Sequence, residues 1–127
     1  MDEKDKELLI RAIVSSDDLF VKRWIDAGNP VDFYDREHRS PLHYAVQYKN
    51  SGIVKSLLDC DVDLEVKDRN GNTPLSDSIF YSGGNKTIIK MLLSKGADQN
   101  NENNYGVSPL SLAKSVGNFD FSDCFDF

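Results

Sequence analysis

Nucleophilic or metal chemistry in this 127-residue chain would have to come from few side chains: His38, His43, Cys60, Cys124 and the acidic run Asp59-Cys60-Asp61-Val62-Asp63-Leu64-Glu65. A histidine beside a Ser or Cys can act as the base that activates a nucleophile. Neither histidine lies in such a motif, and no GxSxG, HExxH or phosphate-binding glycine loop occurs. The cysteines lack paired metal-ligand spacing and read as reduced thiols of a reducing compartment, with one Cys60–Cys124 bridge as the alternative. Alternating carboxylates suggest calcium, but a calcium loop starting at Asp59 needs Gly at its sixth position and Glu at its twelfth. Those positions hold Leu64 and Asn70, so the run reads as an extended acidic loop, or as a weak acidic contact patch. The sequence therefore assigns no catalytic residue, no metal ligand and no cofactor.

The elements that carry these residues repeat. Ser40-Pro41-Leu42 returns as Thr73-Pro74-Leu75 33 residues later, and as Ser108-Pro109-Leu110 35 residues after that. Ser or Thr before Pro is a helix N-cap with Pro at the first helical position, where its missing N–H costs nothing. Each copy follows a turn: Asp35–Arg39, Asp68–Asn72 and Asn103–Val107. Gly71 and Gly106 supply the positive φ of such a turn, whereas the first copy has His38 there and should be less ideal. A second amphipathic helix follows in two copies, with apolar pairs Ile53-Val54 and Leu57-Leu58, then Ile88-Ile89 and Leu92-Leu93. These helices end at Asp61-Val62-Asp63 and Gly96-Ala97-Asp98; Asp61 must take the left-handed cap that Gly takes freely.

Turn, TPLH-like start, paired hydrophobics and GAD-like end, recurring in order, resemble the ankyrin repeat over residues 8–127. The resemblance implies an all-α solenoid of four helix-pair modules forming one domain over 1–127. Residues 5–34 are an N-terminal capping repeat, with Leu8, Leu9 and Ala12 in its first helix and Phe20, Val21, Trp24 and Ile25 in its second. Residues 35–67 and 68–102 are full repeats, and 103–127 a C-terminal cap with a shortened second helix at 119–125. It also implies that His43 is the family's structural histidine, bonding backbone between repeats. The third module departs from the pattern at Ser76 and Ser78, and carries two extra residues in Tyr81-Ser82-Gly83-Gly84-Asn85. That insertion is either neutral or a mobile loop that adapts to a partner. Phe20, Trp24, Phe121 and Phe125 are expected in the core.

The family binds proteins through turn tips and the concave helix face. Carried onto this chain, those positions are Arg36, Glu37, Arg39, Tyr44, Gln47, Tyr48, Arg69, Asn70, Asn72, Asp77, Phe80, Tyr81 and Tyr105. Exposed tyrosine with arginine is also the composition of interface hot spots. The expected function is a non-catalytic protein-binding module. The closing segment from Leu112 to Asp120 and its Phe-rich end resemble small bacterial ankyrin immunity proteins, implying a chain that neutralises a toxin. A general scaffold or regulatory adaptor is the alternative.

Charge bears on that choice. Fifteen Lys/Arg against 21 Asp/Glu give a net −6, which disfavours nucleic acid and suits a basic partner such as a toxin domain. Four of those net charges lie in residues 96–127, where Asp98, Glu102, Asp120, Asp123 and Asp126 face Lys114 alone. The acidic N-terminus shows no signal peptide and no stretch is long and apolar enough for a membrane helix, so a cytoplasmic protein, monomeric when unbound, is expected.

Overall fold

The computed structural model describes residues 1–125, which form seven α-helices and no strand. They are α1 (Glu3–Val14), α2 (Asp18–Asp26), α3 (Pro41–Gln47), α4 (Ser51–Leu58), α5 (Pro74–Phe80), α6 (Thr87–Ser94) and α7 (Pro109–Ser115). The start signals read from the sequence act as caps. Ser40, Thr73 and Ser108 each accept the backbone N–H three residues on, with Pro at the start of the helix. Asp2, Asp17 and Asn50 do the same for α1, α2 and α4.

These helices are too short to be stable alone, and their stability comes from the apolar face each buries. α1, α3, α5 and α7 pack in one row and α2, α4 and α6 in another, with α1 to α6 each touching the partner in the pair and the neighbours along the row, and α7 touching α5. That is the nearest-neighbour stacking of a solenoid. The core runs between the rows through Leu9, Ile13, Leu42, Ile53, Leu57, Leu75, Ile79, Ile89 and Leu92. Burying one such side chain contributes about 1.5–3 kcal/mol. Ala45, Ser78 and Ala113 are buried where the inner helices approach, so small residues there let the row close.

Three connecting turns share one design. The leading residue, Asp35, Asp68 or Asn103, accepts two backbone N–H groups of its own turn through Oδ1. The turn closes with Asp35 N–H on Arg39 O, Asp68 on Asn72 and Asn103 on Val107. The left-handed residue is His38 (φ 57°), Gly71 (φ 80°) or Gly106 (φ 77°). His38 thus adopts the conformation that glycine holds elsewhere, and Asp61 (φ 54°) does likewise at the end of α4.

Several expectations are corrected. No helix forms at 119–125. α7 ends at Ser115 with Val116 as its extended C-cap, and Gly117-Asn118 are poor helix formers. Asp120 then bonds the Ser122 N–H, competing with helix, and one turn follows, with Phe125 N–H on Phe121 O. Phe121 and Phe125 are buried by that turn rather than by a helical stripe. Asp126 and Phe127 lie outside the described residues. Phe20 and Trp24 are half-buried rather than sealed, stacked on each other with Trp24 Nε1 donating to Pro30 O. Leu8 belongs to α1 but lies on its exposed side. Residues 59–65 form two turns instead of an extended loop. Of their carboxylates, Asp59 pairs with Lys55, and Glu65 accepts from the Asp98 N–H and Asn101 Nδ2. Cys60 and Cys124 are free thiols.

The insertion forms a turn. Ser82 Oγ donates to Ile79 O and accepts from Gly84 N–H, and the Phe119 ring lies where a Cβ on Gly84 would be, 2.7 Å away. Gly71 is equally constrained: a Cβ there would meet Asn104 N at 2.7 Å while φ remains positive. Gly71→Ala is therefore expected to destabilise the fold by about 2 kcal/mol, measured by urea denaturation. Gly28→Ala, with a similar φ but open space, should cost less.

Candidate functional site

The turns stack into a ladder that fixes everything beside them. Arg69 N–H donates to Glu37 O, and Asn104 N–H to Asn70 O. Side chains reinforce the ladder at equivalent positions: Arg69 Nε on Arg36 O, and Asn104 Nδ2 on Arg69 O. His43, wholly buried, bridges from α3 to the next turn, its Nε2 2.9 Å from Asn72 O. Its Nδ1 accepts the Ser40 N–H, which makes Nε2 the protonated nitrogen. Burial, with Arg39 nearby, lowers its pKa to about 4 although the Asn72 carbonyl opposes this. His43 is thus a neutral structural strut, as the resemblance implied.

Arg39 is the centre of the polar network. Its Nη1 donates to Asp68 at 2.9 Å and its Nη2 to Asp77 and Gln47, each at 2.8 Å, while the guanidinium lies over the Tyr44 ring. Burial opposes the Arg39 charge, but Asp77 and Asp68 outweigh it and raise its pKa. Burial raises the Asp77 pKa to about 6, with Arg39 pulling the other way. Tyr44 donates to Asp35, and burial with that bond raises the phenol to about 12. At the next step along the stack the Arg39–Asp68 link is replaced by a neutral one, Asn103 Nδ2 on Asn72 Oδ1 at 2.9 Å.

Between the turns and the inner helices lies an open groove of about 660 Å³. Of the residues expected from the sequence, Glu37, Arg39, Tyr44, Gln47, Arg69, Asn70, Asn72, Asp77, Phe80 and Tyr81 line it. The other three lie elsewhere. Tyr48 caps the end of α3, exposed and outside the groove. Tyr105 stands at the third turn, 77% exposed. Arg36 joins Asp35 and the first residues of α1 around a smaller hollow. Arg39 and Asp77 are held by each other at the groove floor, while Phe80 is 70% exposed at its edge. Sequence reasoning missed Asp68, Ser76, Asn103, Val107 and Leu112, which also line the groove. Repeat register could have found two of them, since Val107 is the equivalent of Arg39 and Asn72, and Leu112 that of Tyr44 and Asp77, while Asp68 and Ser76 adjoin the named Arg69 and Asp77. Of the C-terminal acids, Asp123 pairs with Lys86 and Lys90. Among the described residues no group of acids, histidines and cysteines is arranged to hold a metal ion, and no helix is long and apolar enough to cross a membrane.

Comparison with known proteins agrees with this architecture. Residues 8–103 match the family model for ankyrin repeats (3 copies). The chain is 38% identical over 77 residues to Serine/threonine-protein kinase 12 of Arabidopsis thaliana, covering 61% of this chain and 16% of the kinase. It is 33% identical over 84 residues to the potassium channel SKOR of the same plant, covering 66% of this chain and 10% of the channel. It is 30% identical over 118 residues to the rabbit (Oryctolagus cuniculus) ankyrin repeat, SAM and basic leucine zipper domain-containing protein 1, covering 91% of this chain and 25% of that protein. The chain spans a quarter or less of the length of these curated relatives.

The two buried titrating groups act in opposite directions. His43 protonates near 6.5 when unfolded and near 4 when folded, so its contribution of about 3 kcal/mol is lost as pH falls through that window. Asp77 has a raised folded pKa, so its charged form is a penalty that disappears as pH falls from about 6 towards its unfolded value. Asp77→Asn is expected to steepen the loss of stability on acidification between pH 6.5 and 4. His43→Gln should flatten or reverse it, as read by urea denaturation across that range.

Proposed function

Because this chain belongs to the ankyrin-repeat family, we propose that it is a non-catalytic module that holds a protein partner in the groove between its turns and inner helices. Ankyrin repeats are protein–protein interaction modules, and the kinase and channel relatives carry the matched part within longer proteins. The observation that carries the proposal is the groove itself, with exposed Phe80 beside half-buried Tyr81 at its edge, charged rim residues Glu37 and Arg69, and a floor fixed by Arg39. Aromatic side chains and arginine around a preorganised concavity are what interface hot spots require. The contact residues are Glu37, Tyr44, Gln47, Arg69, Asn70, Asn72, Phe80 and Tyr81, with Arg39 and Asp77 beneath them; Arg36, Tyr48 and Tyr105 extend the surface along the stack. The module boundaries that go with it are 5–34, 35–67, 68–102 and 103–127, in one domain.

The finer reading is a single basic partner, such as a toxin domain neutralised by this chain. The net charge of −6 supports it through faster encounter, but the Asp123 and Glu65 carboxylates are engaged within the chain. The reading as an adaptor draws its support from relatives in which the matched part is a minor share of the whole. The two differ in partner number: neutralisation predicts one very tight partner, adaptation several weaker ones.

Phe80→Ser is expected to weaken partner binding by about 10-fold or more with little change in melting temperature, because its side chain is exposed. Isothermal titration with the partner recovered by affinity purification checks it. Unchanged affinity would remove the groove from the binding surface.

A further inference from the structure

The reading of the groove as a binding site leaves open what chemistry it recognises, and two polar atoms on α5 bear on that. Asp77 is 5% exposed and Ser76 4%. Asp77 Oδ2 accepts from Arg39 Nη2, and no other hydrogen bond reaches that carboxylate among the described residues. The Ser76 backbone bonds Thr73 Oγ1, but no partner engages the Ser76 hydroxyl. No fully sealed side-chain oxygen or nitrogen lacks a partner among the described residues, so both atoms keep some accessibility, and the groove is the hollow that both residues line. The equivalent positions on the neighbouring helices are closed: His43 spans to Asn72 O, and Ser111 folds back onto Ser108. Ser76 is too short for the first and does not make the second.

Charge at this end of the groove is unbalanced. Its wall carries the carboxylates Glu37, Asp68 and Asp77 against the guanidiniums of Arg39 and Arg69. Arg69 lies 3.5 Å from Glu37 at the exposed rim, leaving Arg39 to serve both Asp68 and Asp77. Burial keeps the Asp77 pKa near 6 even beside Arg39, and the like charge of Asp68 acts in the same direction. Phe80 and Leu112 give this part of the groove apolar sides as well. Phe80 lies three and four residues beyond Asp77 and Ser76 on the same face of α5, and Leu112 closes the side from α7. An acidic floor between apolar sides matches a long side chain with an apolar stem and a cationic head, and an aromatic edge adds cation–π attraction.

We propose that this end of the groove receives one lysine or arginine side chain from an extended basic segment of the protein partner, its head on Asp77 Oδ1 and Ser76 Oγ and its stem between Phe80 and Leu112. The proposal rests on the groove being the binding surface. It also places the basic character of the partner at one anchoring side chain instead of along the acidic C-terminal segment.

The test is selection of binders from a random-peptide display library against the whole chain, followed by titration of the selected peptides. Selected peptides are expected to share one Lys or Arg. Replacing it by norleucine, and separately making Asp77→Asn, should each weaken binding by about 30-fold or more. Because Asp77→Asn also alters the setting of Arg39, a third reading uses the unsubstituted chain. The Asp77 carboxyl, followed by NMR, should titrate at lower pH with peptide bound than without. Peptides that need Phe80 but share no cation, or an Asp77 titration that peptide leaves unmoved, would overturn the cation proposal and leave the groove reading standing. Peptides indifferent to Phe80→Ser, or a library that yields no binder, would overturn both. Equal competition by spermidine would replace the peptide by a free polyamine and overturn the proposal as well.

Discussion

A helix pair with one apolar face has no stable state alone, and every feature of this molecule follows from how one pair is held in register on the next. The holding interaction is the ladder of turns. An Asp or Asn at the head of each turn gathers two backbone N–H groups, and the shaped turn then offers its own backbone to its neighbour. His43 adds a buried strut from helix to turn. The inner helices Pro41–Gln47, Pro74–Phe80 and Pro109–Ser115 start where the turns end, so the ladder sets their spacing as well. Small residues at Ala45, Ser78 and Ala113 let the row close behind it.

The groove is the space this arrangement leaves between turns and inner helices. Its floor is charged because one guanidinium, Arg39, ties two successive units through Asp68 and Asp77. Such a network is costly to break by removing one partner, since a buried charge is left without compensation. Where the stack moves on by one unit, the same link becomes an amide pair, Asn72 with Asn103. The stack is thus held by ionic links at one step and neutral ones at the next, and the groove changes from charged to apolar towards Leu112 and Val107.

Much of this was legible in the sequence, and the failures share a cause. Caps, turns and the paired hydrophobics of the outer helices are local signals, and Ser40-Pro41-Leu42 or Asn70-Gly71 fix them without help from elsewhere. His38 and Asp61 in left-handed conformations followed from register with Gly71 and Gly96. The closing segment could not be read this way. Phe121 and Phe125 suggested a helical stripe, but Gly117, Asn118 and Asp120 favoured turns, and aromatic rings can be buried by either. Tyr48 and Tyr81 occupy equivalent positions, yet only Tyr81 lines the groove, which draws on all three turns and on α3, α5 and α7. Asp77 was expected among the contact residues, but its burial against Arg39, which gives it chemical interest, depends on contacts across 38 residues of sequence.

The central claim is that a protein partner occupies this groove. Amide hydrogen exchange of the chain, alone and saturated with its purified partner, tests it most directly. The account predicts added protection at residues 68–81 and 103–112, with the outer helices Asp18–Asp26, Ser51–Leu58 and Thr87–Ser94 unchanged. Protection confined to those outer helices or to residues 119–125 would contradict it.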